Sequence, residues 1–305
     1  MNILNAAHRY NENWNVVRKA IRGIHVEPDR DDVFLCPLCF RCFAREQWNG
    51  DHLSVEHVPP KSMGGRSRTI TCRNCNSRSG TELDAKLKQE QKFLEFIDGV
   101  PGSSFEGRYR FNGMESPLIA NVIRADPSTW QIIGIPERTN PSDIQEIYNL
   151  HSLENINLSF QTVAPRLPSV ARLRAAYLWA FSVFGYALLL NQGLLTVCRQ
   201  IMHPNDKIIA HDWELTLDFP DDLLGVNIIN TPKGMRGMLV CMKLRRPQGS
   251  TKKYSILLPR PDSPDVNLYS YAQQNPKGEL SVSHIPDTFD FNAAPFAAVS
   301  FWSNS

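Results

Sequence analysis

The sequence predicts an α+β protein in two parts, a small N-terminal unit and a larger mixed domain. Three observations carry this. Two Cys-x-x-Cys pairs, Cys36/Cys39 and Cys72/Cys75, frame two short strand-like runs and lead into a helical stretch. The cluster Gly99-Val-Pro-Gly-Ser-Ser then punctuates the chain. Beyond it, strand-like and helical runs alternate around a long uncharged segment, Ala175 to Cys198. The expected domains are residues 1–98 and residues 99–305.

The elements follow in order. Residues 10–24 carry helical spacing, with Trp14, Val17, Ala20 and Ile21 on one side. Pro28-Asp-Arg-Asp-Asp32 reads as a polar loop before the first Cys pair. Leu53–Val55 and Thr69–Thr71 read as strands, joined by a loop that turns at Gly64-Gly65. A helix starts near Cys75 and runs toward Phe96, with Leu83, Leu87, Leu94 and Ile97 recurring on one face. In the second part, strands are expected at Gly107–Phe111, Ile119–Arg124, Trp130–Ile135 and Ile156–Phe160, and later at Trp213–Phe219, Val226–Ile229, Met238–Leu244 and Tyr254–Leu258. Asn140-Pro141 opens a helix, Asn as cap and Pro in the first turn. Pro168 opens a long apolar helix that reaches toward His203-Pro204. Its uncharged run is long enough to cross a bilayer. The polar break Asn191-Gln192-Gly193 instead marks a helix end, and the segment reads as a buried central helix.

The totals bound the function. A chain of 305 residues, 42% hydrophobic and 21% charged, is globular rather than disordered. A net charge of +2 excludes a polycation, so any attraction to nucleic acid must come from a local patch. Five of the seven Cys fall between positions 36 and 75, which is no disulfide scaffold. Met1 to Tyr10 has no apolar core of a secretion signal. Clustered Cys pairs then point to metal ligation in a reducing cytoplasm.

Four thiolates at Cys36, Cys39, Cys72 and Cys75 make a closed tetrahedral Zn2+ site with no open position, hence a structural one. Cys42 offers an overlapping pair with Cys39; Cys36 and Cys39 are preferred because Pro37-Leu38 suits a tight knuckle. Between the pairs sits Glu56-His57-Val-Pro-Pro60, and directly after them Asn76-Ser-Arg-Ser-Gly80. Glu-His dipeptides are common on surfaces, but this one stands between two knuckles.

Over roughly residues 33–90 the pattern resembles the HNH endonuclease family, whose zinc-stapled ββα unit holds one divalent metal against a scissile phosphate. The resemblance implies His57 as the general base and Glu56 and Asn76 as ligands of a catalytic Mg2+ or Mn2+. A carboxylate and an amide oxygen are the hard donors such an ion takes. The family's middle Asn is missing, and Ser67 stands in its place beside Arg68. A further family ligand position holds Gly80, and Asp84 reads as a solvated helix charge. His52 reads as strand-edge surface.

Lys61, Arg66, Arg68, Arg73 and Arg78 lie between His57 and Thr81 with no acid among them, the footprint expected beside a DNA backbone. Lys243, Arg245, Arg246, Lys252, Lys253 and Arg260 cluster around a later hairpin, either a second DNA surface or a solvated one. The resulting expectation is a DNA-cleaving endonuclease without a membrane span. Architecture of this kind resembles bacterial anti-phage defence and restriction nucleases, in which the attached domain senses a trigger, binds a partner protein or forms a homo-oligomer. Two rivals stand beside it: a non-catalytic zinc-knuckle DNA-binding module, supported by Ser67, and a trigger-activated effector governed by residues 99–305.

Overall fold

The computed structural model describes residues 1–20, 31–109, 118–126, 128–134, 141, 142, 145, 166–190, 192–260, 267–287, 289, 291 and 292. The expected strand Ile156–Phe160, nearly all of the helix expected from Asn140-Pro141, and the stretch after Asn292 lie outside them. The chain forms two compact units. One comprises Met1–Ala85, Arg166–Leu244 and Lys252–Ser305; the other comprises Lys86–Pro165 and Arg245–Thr251. The boundary expected after residue 98 falls inside the second unit. Gly99, at φ +74°, ends a helix there.

The first unit begins with α1 (Ile3–Ala20), whose Tyr10, Trp14 and Val17 are buried. Tyr10 stacks on Phe181 at 4.9 Å and on Phe291 at 5.4 Å. A two-stranded ribbon, β1 (Val33–Leu35) with β2 (Cys42–Ala44), carries the first Cys pair in its turn. A hairpin follows, β3 (Leu53–Val58) with β4 (Arg66–Cys72), and runs directly into α2 (Arg73–Ser79). Gly65 is obligatory in the hairpin loop, because a Cβ there would overlap the Pro59 carbonyl oxygen. A π-helical turn, Gly80–Asp84, continues α2.

The expected long apolar helix is broken. It forms α4 (Arg166–Phe184), a 3-10 turn (Gly185–Leu190) and α5 (Gln192–Met202). Gly185 makes the break at φ +59°, and a Cβ there would run into Asn13 Oδ1. Asn13 Oδ1 instead accepts from the Tyr186 N–H at 2.8 Å, so α1 fixes where the helix ends. Of Asn191-Gln192-Gly193, expected as a helix end, Gln192 and Gly193 begin α5, and Asn191 lies outside the described residues. Among the described residues no helix is long and apolar enough to cross a membrane. α4 packs against β3, β4, the π turn and β9 (Gly225–Thr231), so its length is buried in protein. The remaining sheet of this unit has the order β12-β9-β10-β11-β8, with β8 (Glu214–Leu215), β10 (Gly237–Arg245), β11 (Thr251–Pro259), α6 (Asn267–Gln274) and β12 (Ser281–Ile285). Of the expected strand Trp213–Phe219 only β8 forms.

The second unit contains α3 (Ala85–Ile97), which begins at its edge, and an antiparallel sheet of β5 (Ser104–Tyr109), β6 (Leu118–Arg124) and β7 (Trp130–Gly134). Phe96 meets Trp130 edge-on at 5.5 Å, and Phe93 meets Phe105 at 4.9 Å. Glu95, 1% exposed, accepts from the Gln248 N–H at 2.9 Å and the Ser250 hydroxyl at 2.6 Å. Arg246 pairs with Asp98 at 2.6 Å. In the first unit Lys243 and Lys253 both pair with Asp221, and Arg260 is buried. Much of the basic hairpin's charge is therefore taken up by internal partners.

Candidate functional site

The β3–β4 hairpin carries two clusters, one at each end. At the Cys72 end, four sulfurs of Cys36, Cys39, Cys72 and Cys75 lie within 4.8 Å of one another. Cys39 Sγ and Cys72 Sγ are 3.7 Å apart. Zn–S bonds of about 2.3 Å in a regular tetrahedron put sulfurs about 3.8 Å apart, so the cluster fits a structural zinc. The knuckle closes through the Phe40 N–H to the Cys36 carbonyl at 2.9 Å, with Phe40 at φ +58°. Cys75 N–H points at Cys72 Sγ and Cys72 N–H at Cys36 Sγ, both at 3.4 Å. Burial pushes the Cys36 thiol up, so four thiolates need a cation among them. Cys42 sits on β2 outside this group, as Pro37-Leu38 suggested. The rest of the unit grips the knuckle: the Tyr177 hydroxyl donates to the Pro37 carbonyl at 2.9 Å, and the Leu35 N–H donates to the Tyr186 hydroxyl at 2.8 Å.

Toward the other end lie Glu56 and His57. Consecutive strand residues project to opposite faces, so the two cannot do the same task. The pairing shifts between them: Glu56 pairs with Thr69 and His57 with Ser67, which leaves Arg68 as an extra residue on β4. A bulge of this kind bends its strand and re-aims the side chains around it. His57 is half-buried, and its Nε2 lies 3.1 Å from Ser67 Oγ. Ser67 thus meets the histidine from the position of the missing Asn.

Ser54 and Glu56, two apart, share one face of β3. Asn76, on the first turns of α2, donates from Nδ2 to Ser54 Oγ at 2.5 Å. This leaves Asn76 Oδ1 without a donor among the described residues. Glu56 is 3% exposed. Its Oε1 accepts from the Thr71 hydroxyl at 2.7 Å and from Arg174 Nη2 at 2.6 Å, and no donor among the described residues reaches Oε2. Arg174 Nη1 also approaches Asp84 Oδ1 at 3.5 Å, an ion contact without a hydrogen bond. Burial pushes the Asp84 carboxyl up, Arg174 pulls it back down, and Glu56 adds to the rise. Asp84, expected as a solvated helix charge, is therefore part of a charged cluster. Glu56 Oε2 and Asn76 Oδ1, one carboxylate and one amide oxygen without a donor among the described residues, belong to side chains on the Ser54 face of the hairpin. This donor set suits a hard divalent ion.

Of the expected DNA-contacting residues, Lys61, Arg66 and Arg73 are exposed with no side-chain partner among the described residues. Arg78 pairs with Glu82 at 2.9 Å and donates to the Met202 carbonyl at 3.1 Å. Arg68 lies 3.8 Å over the Trp179 ring and pairs with Asp287 at 2.9 Å, so it is drawn into the fold. His52 packs against Phe43 at 6.5 Å.

Sequence reasoning missed Arg174. The signal was present: an arginine one step outside a 24-residue uncharged run, on a helix read as buried, requires an acidic partner. Nothing in the sequence said that the partner was Glu56. No curated protein and no solved structure matches the chain. The segment that carries both clusters of the hairpin, residues 36–92, matches the family model described as HNH endonuclease.

Proposed function

We propose that this protein is a metal-dependent endonuclease that hydrolyses DNA phosphodiester bonds at the β3–β4 hairpin. The observation that supports it most is the pairing of two free hard oxygens, Glu56 Oε2 and Asn76 Oδ1, with a histidine held through one ring nitrogen. Glu56 and Asn76 would hold Mg2+ or Mn2+. When bound, that ion polarises the scissile phosphate and stabilises charge on the leaving 3′ oxygen. His57 acts on the water. In the tautomer that donates Nε2–H to Ser67 Oγ, 3.1 Å away, Nδ1 presents the lone pair that a general base needs. It takes a proton as the water oxygen bonds to phosphorus and the P–O3′ bond breaks. Lys61, Arg66 and Arg73, exposed and without a side-chain partner among the described residues, are the residues to hold the backbone phosphates in register. Arg78, exposed but already bound to Glu82 and the Met202 carbonyl, would have to give up a contact or use Nη1 for the same work.

Plasmid cleavage with Mg2+ or Mn2+, wild type beside His57→Ala over a range of protein concentration, tests this. Nicking or linearisation by wild type, reduced by about 100-fold or more in His57→Ala, is the expected result. Equal cleavage by both proteins would remove His57 from the mechanism. DNA shifted in a gel but never cut, under either metal, would favour the zinc-knuckle binding module. That rival rested on Ser67, whose hydroxyl lies 3.1 Å from His57 Nε2.

A further inference from the structure

α4 lies wholly outside the matched segment, yet it sends Arg174 into the hairpin. The side chain is 2% exposed. Its neighbours Leu173, Ala175 and Ala176 are buried and apolar, and its Nε has no hydrogen-bond partner among the described residues. A buried ion pair is costly to desolvate, and well-packed apolar side chains in place of both partners serve stability as well or better. Its presence asks for a reason beyond stability.

The contacts give one. Both donors to Glu56, the Thr71 hydroxyl and Arg174 Nη2, converge on the same oxygen, Oε1. Two donors on Oε1 restrain the carboxylate and leave Oε2 without a donor among the described residues. Arg174 is itself held from a second side by Asp84, on the π turn that packs against α4. Two carboxylates around one guanidinium leave one negative charge over, which suits a nearby cation. Ligating carboxylates are commonly fixed in this way by partners that do not touch the metal.

We propose that Arg174 is a positioning residue for Glu56, so that the nuclease site is completed by a helix beyond the HNH segment. The inference rests on the reading of Glu56 and Asn76 as metal ligands. Lysine keeps the charge but lacks the planar fork that serves Glu56 and Asp84 together.

The test is Mn2+ binding by the zinc-loaded full chain, followed by electron paramagnetic resonance, for wild type, Arg174→Lys, Asp84→Asn and Asn76→Ala. Zinc content and the thermal midpoint show that each variant is folded. The expected result is a 10- to 100-fold weaker Mn2+ affinity in Arg174→Lys, with a smaller loss in Asp84→Asn. Should Arg174→Lys fail to fold, Asp84→Asn alone decides, since Asp84 is partly exposed. Unchanged affinity in the variants, with Asn76→Ala impaired, would leave the metal site standing and remove Arg174 from it. Tighter binding in Arg174→Lys would mean that the arginine competes with the ion, which overturns the proposal. No Mn2+ binding by wild type would overturn the ligand reading itself, and this inference with it.

Discussion

The two ends of the β3–β4 hairpin are both built around buried charge, and they are built differently. At the Cys72 end, all four donors come from two short spacings within forty residues, and they converge on one point. At the Glu56 end, the carboxylate's main partner lies 118 residues away on α4. The first cluster is local enough to be written in a motif. The second depends on tertiary packing, and its chemistry changes if that packing changes. One end is a staple closed on itself; the other keeps two oxygens uncommitted.

The sharpest way to break this contrast is to open the staple. Cys72→Ser removes one thiolate while keeping a side chain able to cap α2, where Cys72 Sγ accepts from the Cys75 N–H. Structural zinc supplies on the order of 10 kcal/mol of folding free energy in small zinc peptides, against a net stability of about 5–15 kcal/mol for a whole domain. The expected outcome is loss of bound zinc by elemental analysis and loss of a cooperative thermal transition. A variant that keeps one zinc per chain and its melting point would show that the four sulfurs are only packed together.

The Glu56 end should break in the opposite way, by leaving a charge stranded. Arg174→Met leaves Glu56 buried and uncompensated, at an expected cost of about 3–5 kcal/mol. Adding Glu56→Gln to that variant removes the stranded charge and should recover most of the loss. Urea denaturation of the two single variants, the double variant and wild type closes the cycle. A double variant no more stable than Arg174→Met would mean that the pair carries no coupling.

These predictions also mark what was legible. The four-cysteine cluster and the two strands of the hairpin were readable because they rest on short spacing and strand periodicity; Glu56, His57 and Asn76 were singled out by the family resemblance, and their roles are proposals. The break in the apolar helix was not readable at Gly185, because its cause is Asn13 of α1, 172 positions earlier. Arg174 and Asp84 were misplaced for the same reason: periodicity gives the buried face of a helix, never the identity of what it is buried against. β1, β2 and β12 went unforeseen because three to five residues carry too little pattern.

Gly185→Ala tests the long-range control of the helix break. A Cβ at φ +59° should cost about 1–2 kcal/mol from the left-handed backbone alone, and more with the clash against Asn13 Oδ1. The readout is the urea midpoint at unchanged slope. A neutral substitution would place control of the break elsewhere than in the Asn13 contact.

The smallest effect separates two arginines of one motif. Arg66 is exposed with no side-chain partner among the described residues, while Arg68, two residues on, stacks on Trp179 and pairs with Asp287. Sequence spacing gives both the same role; the fold does not. DNA affinity measured at several salt concentrations should show Arg66→Ala lowering the slope of log affinity against log salt by about 1. Arg68→Ala should leave that slope unchanged and instead lower stability by about 1 kcal/mol, the scale of a cation–π contact. An Arg68→Ala slope reduced as much as that of Arg66→Ala would show that Arg68 leaves Trp179 for the phosphate when DNA binds. The local motif would then override the tertiary contact, and the difference between the two ends of the hairpin would be one of degree.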